Sequence, residues 1–273
     1  MITAENVSFS YRSGSTSVSD VSFHIAKGDF TAVMGENGAG KSTVLKLIDG
    51  LLRPQSGKMT VCGLDTAKSR VSERARHVGY LFQNPDRQIC QNTVREEIAF
   101  SLKAVGEKDA AAIDARADEI LGIFGFSAEA EPFSLSRGQR QQLALASVLA
   151  VKPEILILDE PTTGLDYREC CRVMDLIGKM NAEDQTTVVM VCHDMEVVLD
   201  YANRAIVMAG GRIIADGGVR DIFRSAGVME KASLIPPQII GLAARLGDGF
   251  DSIYDAASMA DAVAEMISSG ERR

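Results

Sequence analysis

The chain has 273 residues, 46% hydrophobic and 24% charged, an ordinary globular composition that excludes whole-chain disorder and leaves room for about two domains. Its formal charge is −8, which argues against a broad phosphate-backbone footprint. Aromatics are 5% and tryptophan is absent, so a platform of stacked aromatics is not expected, and no nucleic-acid partner is either.

From Met1 to Phe9 no basic stretch precedes an apolar one, so no secretory signal is read there. Phe30 to Met34 follows a Lys27-Gly28-Asp29 turn and reads as a buried strand. Thr43 to Ile48 reads as a helix that Gly50 ends. Arg53 to Gly57 is a turn, Met59 to Val61 a short strand, and His77 to Phe82 another strand candidate. Across residues 93–126 Ala and charged residues dominate and β-branched runs vanish, the mark of a helical insertion. Gly138 to Ala150 reads as a helix with Leu143, Ala146, Leu149 and Ala150 at helical spacing, closed by Pro153. Ile155 to Leu158 and Thr187 to Val191 are near-continuous apolar strands, as in a sheet covered on both faces. Ala205 to Met208 and Arg212 to Ile214 flank Gly210-Gly211 as a hairpin. The alternation of strands and helices predicts an α/β fold. The longest aliphatic runs are strand-sized, well short of the roughly 18 residues of a membrane span, and the chain is expected to be cytosolic.

The five cysteines are Cys62, Cys90, Cys170, Cys171 and Cys192. They are odd in number and contain no Cys-x-x-Cys pair, so neither a disulfide framework nor a zinc site is expected, and the thiols are read as buried and reduced. His24 and His77 are read as hydrogen-bonded structural histidines.

Chemistry concentrates in Gly35-Glu36-Asn37-Gly38-Ala39-Gly40-Lys41-Ser42, which fits G-x-x-x-x-G-K-[ST] between a predicted strand and a predicted helix. Glycines let successive N–H groups curl around phosphate oxygens, and the helix N-terminus adds a favourable dipole. Lys41 is placed to neutralise β/γ-phosphates and Ser42 to ligate Mg²⁺. Asp159 and Glu160 follow the strand Ile155 to Leu158, at the strand end where ligands of open α/β sheets gather. Asp159 can hold the Mg²⁺ shell, and Glu160 can orient or deprotonate a water.

In family order after this loop come Phe82-Gln83, Leu135-Ser136-Arg137-Gly138-Gln139, Gly164-Leu165-Asp166 and Cys192-His193-Asp194. Together these motifs resemble those of an ATP-binding cassette (ABC) ATPase, over about residues 1–218. The resemblance implies a P-loop ATPase fold: a RecA-like sheet core, an antiparallel β subdomain, and a helical subdomain at about 84–150. It implies ATP and Mg²⁺ as ligands. Tyr11 would stack on adenine, and Gly35 to Thr43 (Gly35, Glu36, Asn37, Gly38, Ala39, Gly40, Lys41, Ser42, Thr43) would cradle phosphates. Gln83 and Asp159 would complete the metal and water shell with Ser42. Glu160 would be the general base, His193 the γ-phosphate contact, and Asp166 part of the D-loop. Leu135, Ser136, Gly138 and Gln139, the signature, would close over ATP held by a second ATPase subunit, identical or paralogous. Ser136 as an N-cap supports this independently by offering another anion-binding helix end. Arg137 departs from the usual glycine. Taken alone, Tyr11 reads equally as a strand-edge aromatic, Gln83 as a loop polar residue and His193 as a structural histidine.

Phe82-Gln83-Asn84-Pro85-Asp86-Arg87-Gln88 resembles the extended Q-loop of ATPases from energy-coupling-factor importers of vitamins and metal ions. That implies integral membrane partners and a peripheral place on the cytoplasmic face. Residues 219–273 read as a C-terminal extension, expected to pair subunits. Leu234-Ile235-Pro236-Pro237 would lead into a helix with Ile239, Leu242, Ala243 and Leu246 on one face, and Ser258 would cap a last helix carrying Met259, Val263, Met266 and Ile267. A DNA-repair cassette protein would need a long coiled-coil or zinc insertion, and a translation factor two cassettes; a scaffold ATPase of iron–sulfur assembly stays open. A GTPase is disfavoured because no Asn-Lys-x-Asp occurs.

Overall fold

The structure is a computed structural model and describes residues 1–11, 16–247, 249–250 and 252–269. The chain opens with β1 (Ile2–Ser10), β2 (Thr16–Ile25), β3 (Phe30–Gly35) and α1 (Lys41–Asp49). β4 (Ser56–Val61), β5 (Leu64–Asp65), the single turn α2 (Val71–Arg74) and β6 (Val78–Leu81) follow. Then come α3 (Val94–Ala104), α4 (Ala110–Phe124) and α5 (Arg137–Ala150). β7 (Ile155–Asp159), α6 (Tyr167–Asp184), β8 (Thr187–Val191) and α7 (Met195–Tyr201) lead to the hairpin of β9 (Arg204–Ala209) and β10 (Arg212–Gly218). The chain closes with α8 (Val219–Arg224), α9 (Ala226–Lys231), α10 (Gln238–Leu246) and α11 (Ala256–Ser269).

The strands form two sheets. One is four-stranded and antiparallel in the order β2-β1-β4-β5; the other is six-stranded in the order β10-β9-β3-β8-β7-β6. In the larger sheet β3, β6, β7, β8 and β9 run parallel and β10 returns antiparallel. β3, β7 and β8 are buried at every position, which is why they read as unbroken apolar runs. Their side chains alternate between two cores. Ala32, Leu156, Leu158, Val188 and Met190 pack with α5, α6 and α8, whereas Val33, Ile155, Ile157, Val189 and Val191 pack with α1 and the antiparallel sheet. A third core, around Val94, Ile98, Ile113, Ile120 and Leu143, belongs to α3, α4 and α5.

The two sheets are tied around α1. Arg74, 2% exposed, donates to the carbonyls of Asp49 and Gly50 at the C-terminus of α1, and to Ser69 and Thr66. It so satisfies carbonyls that a helix end leaves without partners. Gly50, at φ 77, stops the helix in the left-handed conformation.

The C-terminal helices depart from the sequence reading in two details. On α10 the buried residues are Ile240 and Ala243, while Leu242 (45%) and Leu246 (41%) are exposed. The cap of α11 is Asp255, whose carboxylate accepts from the Ser258 amide at 2.8 Å; Ser258 itself lies inside the helix. An aspartate just before the first turn outcompetes a serine three residues on because its charge also favours the helix dipole. The segment is anchored to α8 by Tyr254, whose ring lies 4.5 Å from the Arg220 guanidinium and 4.7 Å from that of Arg224. Buried thiols hold only for Cys192; Cys90 is exposed and Cys62, Cys170 and Cys171 are half-buried. His24 bonds to Thr3, as expected of a structural histidine. Among the described residues no helix is long and apolar enough to cross a membrane.

Candidate nucleotide site

The carboxyl ends of the parallel strands lie on one edge of the sheet, in a register that pairs Leu81 with Leu158 and Asp159 with Val191. The residues that follow those ends are therefore brought together: Gly35 onward after β3, Gln83 after β6, Glu160 after β7 and His193 after β8. They border a cleft of about 390 Å³ lined by Tyr11, Ser17, Asn37, Gly38, Gly40, Lys41, Ser42, Thr43, Gln83, Glu160, Val191 and His193. Such an edge is where α/β sheets bind ligands. A larger cavity of about 490 Å³ lies among the C-terminal helices and is lined mainly by apolar groups such as Phe223, Met229 and Ile240. It has no comparable convergence of polar groups.

The loop between β3 and α1 is shaped by glycines for two different reasons. Gly35 (φ 143) and Gly40 (φ 101) are required by packing: a Cβ at Gly35 would stand 2.1 Å from the Met208 carbonyl oxygen, and at Gly40 2.3 Å from that of Ser17. Gly38 (φ 85) faces open space, so its glycine serves the curl of the loop rather than a neighbour. The first turn of α1 directs its unbonded N–H groups into this cleft, a site suited to anions. Ala39 is buried and its side chain turns to the core, and Glu36 contributes its carbonyl. Gly35, Glu36 and Ala39 thus hold the loop's shape without lining the cleft.

Lys41 is 7% exposed, and its Nζ donates to the carbonyls of Gly35 (2.7 Å) and Glu36 (2.9 Å). Burial lowers its pKa, while the carboxylates of Glu160, Asp159 and Glu36 oppose that shift. Ser42 Oγ donates to Asp159 Oδ1 at 3.2 Å. Asp159 is 4% exposed; burial raises its pKa, the Glu160 charge adds to the rise, and hydrogen bonds from Ser42 and Tyr80 counter it. Ser42 and Asp159 thus offer adjacent hard oxygen donors, the kind Mg²⁺ takes.

Glu160 points the other way. It has φ 58, a strained left-handed conformation for a residue with a Cβ, which turns its side chain out of the strand's alternation. Its carboxylate accepts from Gln83 Nε2 at 2.9 Å and Thr163 Oγ1 at 3.1 Å, and lies 3.1 Å from His193 Nε2. Gln83 is therefore joined to Glu160 rather than to the Ser42–Asp159 pair. Tyr11, 41% exposed, stands at the rim with its ring edge-on to Phe9 at 5.0 Å. Tyr80, Thr163 and Gln141 carry no motif in the sequence, yet each bonds to Asp159 or Glu160. A lone hydroxyl or amide has no spacing signal that would single it out.

Leu135, Ser136, Gly138 and Gln139 do not line the cleft. Ser136 caps α5 reciprocally: its Oγ accepts from the Gln139 amide at 3.2 Å, and Gln139 Oε1 accepts from the Ser136 amide at 2.9 Å. Gly138 lies against the Gly164 carbonyl, where a Cβ would stand 2.8 Å away, and Arg137 lies beside Gly164. Asp166 caps α6 through the Glu169 amide at 2.9 Å. The segment after Gln83 is clamped onto α5, with Asp86 bonded to Arg140 at 2.7 Å and Gln88 to the Ala144 carbonyl at 3.1 Å. Gln141 of α5 in turn donates to the Glu160 carbonyl at 3.4 Å. Ser136→Ala is expected to cost about 1 kcal/mol of stability by losing the cap, read as a lower urea midpoint at unchanged slope.

The family model described as ABC transporter matches residues 18–163. A Caldanaerobacter subterraneus protein described as an ABC transporter ATP-binding protein is 42% identical over 94% of this chain, and a Photobacterium profundum protein of the same description is 37% identical over 90%. This chain spans about half the length of these relatives, 45% and 44%. Among solved structures, a dimeric ATP-binding cassette in a post-hydrolysis state with ADP and Pi is similar at a TM-score of 0.75 and 30% identity, over 80% of this chain and 99% of that one. The cbiO1 protein of Clostridium perfringens, part of the ABC transporter complex cbiONQ, is similar at a TM-score of 0.74 and 30% identity, over 89% and 98%.

Proposed function

Because this chain belongs to the ABC transporter family, we propose that it is the ATP-hydrolysing subunit of a transporter, of the energy-coupling-factor importer type. One observation carries the catalytic part: Lys41, Ser42 and Glu160 with Gln83 and His193 converge on one cleft at the carboxyl edge of the sheet, and Ser42 bonds to the buried Asp159, which does not itself line the cleft. Lys41 and the first turn of α1 would hold the phosphates, and Tyr11 the adenine face. Ser42 and Asp159 would hold Mg²⁺, which when bound neutralises charge on the phosphate oxygens, and Gln83 would join them only through its Oε1, since its Nε2 is bonded to Glu160. Glu160 would take the proton of the attacking water. Gln83 and His193 would position that carboxylate, and His193 would meet the γ-phosphate. The signature side of α5, outside its own cleft, would serve the ATP of a second subunit, so that ATP favours a closed pair. Residues 1–218 would form the ATPase domain, its helical subdomain at about 84–150, and 219–273 would help pair the subunits.

The importer subtype rests on the Phe82 to Gln88 motif and on the likeness to cbiO1. The segment from Asn84 to Gln91 with the helical insertion would grip a membrane partner, seating the subunit at the cytoplasmic face. Pull-down of the tagged chain from detergent-solubilised membranes tests this. Co-purification with an integral membrane protein is expected. Recovery with soluble proteins alone would favour the scaffold reading instead.

A further inference from the structure

Three residues from separate segments meet at the amino-terminal edge of the parallel sheet, away from the cleft. Cys62 lies in the turn between β4 and β5, His77 just before β6 and Glu154 just before β7. Their sulfur, ring nitrogen and carboxylate oxygen all lie within 4.8 Å of one another. His77 Nδ1 and Glu154 Oε1 are 2.5 Å apart, and the Met1 thioether lies 4.0 Å from Cys62 Sγ. The whole of β7 separates Glu154 from Asp159, about 16 Å of strand, so this cluster shares nothing with the Ser42–Asp159 pair.

A His–Glu hydrogen bond at the surface would alone be unremarkable and of little energetic weight. Here a thiol is brought to it at a conformational cost. Cys62 has φ 50 and Gly63 φ 77, the two left-handed positions of a tight hairpin turn, where Asn, Asp or Gly is the usual first residue. The donor set is equally particular. A thiol, an imidazole and a carboxylate are the ligands of zinc, whereas Mg²⁺ and Ca²⁺ take oxygen alone. Bond lengths of about 2.0–2.3 Å to such donors set neighbouring ligand atoms about 3.3–3.8 Å apart in a tetrahedron. The cluster spans that range and needs side-chain shifts of only about 1 Å. His77 and Glu154 side chains are 37% and 50% exposed, which leaves room for the shift and a way in for an ion.

We propose that Cys62, His77 and Glu154 form a zinc-type divalent metal site, with the Met1 sulfur or a water as fourth donor, that staples the antiparallel sheet to the edge of the parallel one. Burial and the Glu154 charge push the Cys62 thiol up to about 11, so it is neutral until a metal replaces its proton. Binding would release that proton to solvent and break the His77–Glu154 hydrogen bond, with no change in oxidation state.

The test is titration of the chelator-treated full chain with Co²⁺, without nucleotide or Mg²⁺. One ion per chain is expected, with a near-ultraviolet thiolate-to-cobalt band and the visible bands of a tetrahedral site, all reversed by Zn²⁺. Cys62→Ser should remove the near-ultraviolet band and weaken binding at least tenfold. Zn²⁺ at a hundredfold excess over the parent Kd should raise Tm by about 5–10 °C in the parent chain and by about half of that or less in Cys62→Ser. ATP hydrolysis should be unchanged in that variant, since Cys62 lies outside the cleft. If Cys62→Ser does not fold, His77→Gln carries the test and must lose the tetrahedral bands. Absence of a thiolate band in the parent chain, or its survival in Cys62→Ser, would overturn the site.

Discussion

Glu160→Gln is expected to retain ATP binding within a few-fold while hydrolysis falls by about 10²–10⁴, the range of general-base contributions. The substitution keeps shape. The new side-chain carbonyl would still accept from Gln83, and the new amide would donate to the Thr163 hydroxyl, so the constellation around the position survives. What is lost is the capacity to take a proton from water, together with one negative charge beside Lys41. Losing that charge does not weaken attraction for phosphates; it removes a repulsion. Binding and turnover should therefore separate, and ATP titration beside a steady-state phosphate-release assay reads both. Turnover near the parent rate would remove Glu160 from the base role. Loss of binding together with turnover would mean that its place is structural, as the strained φ 58 of this residue would allow.

How far such a site can be read in advance depends on what each residue encodes locally. β3, β7 and β8 are legible because a strand covered on both faces is a continuous apolar run. The phosphate loop is legible because its glycines and Lys41 fall at fixed spacing inside one turn. β1 and β2 give no strand signal: register shifts between Ala4 and Val7 and between Val7 and Phe9 break the alternation, and Asn6 (φ 49) and Asp20 (φ 55) interrupt the backbone. α6 escapes because its buried stripe is only Val173, Met174 and Ile177 on an otherwise polar helix. Gln83 and His193 enter through family resemblance alone. Neither a glutamine nor a histidine says by itself that it will meet a carboxylate from a different strand.

The same limit explains Cys62. Cysteine spacing argues against zinc because the usual metal-binding pair comes from one short segment. Here each donor comes from the end of a different strand, and only the pairing of β6 with β7 and the closure of the β4–β5 turn bring them together. Long-range pairing is the information that a linear pattern lacks. It is also what places Glu160 beside Gln83.

Lys41→Ala is the second large effect, and it should not separate binding from turnover. The ammonium is nearly buried and already engaged with the carbonyls of Gly35 and Glu36, so it is fixed at the mouth of α1 before any phosphate arrives. It is also close enough to the Asp159 and Glu160 carboxylates for both to oppose the burial-driven fall in its pKa. Two of the three ammonium donors are held by the Gly35 and Glu36 carbonyls, so alanine at this position removes the one charge-assisted hydrogen bond left for phosphate, at about 1.5–3 kcal/mol. It also leaves those two carboxylates facing the incoming anion without this counter-charge. Together these terms predict a rise in Kd for ATP of about 10–10³. Calorimetric titration should show it, with hydrolysis lost in parallel at any nucleotide level below the new Kd. Lys41→Arg separates charge from shape: it keeps the cation, but a planar fork cannot reach both loop carbonyls from the same stem, so partial recovery of affinity is expected. An ATP affinity of Lys41→Ala within threefold of the parent would show that the helix N-terminus and loop amides hold the phosphates unaided.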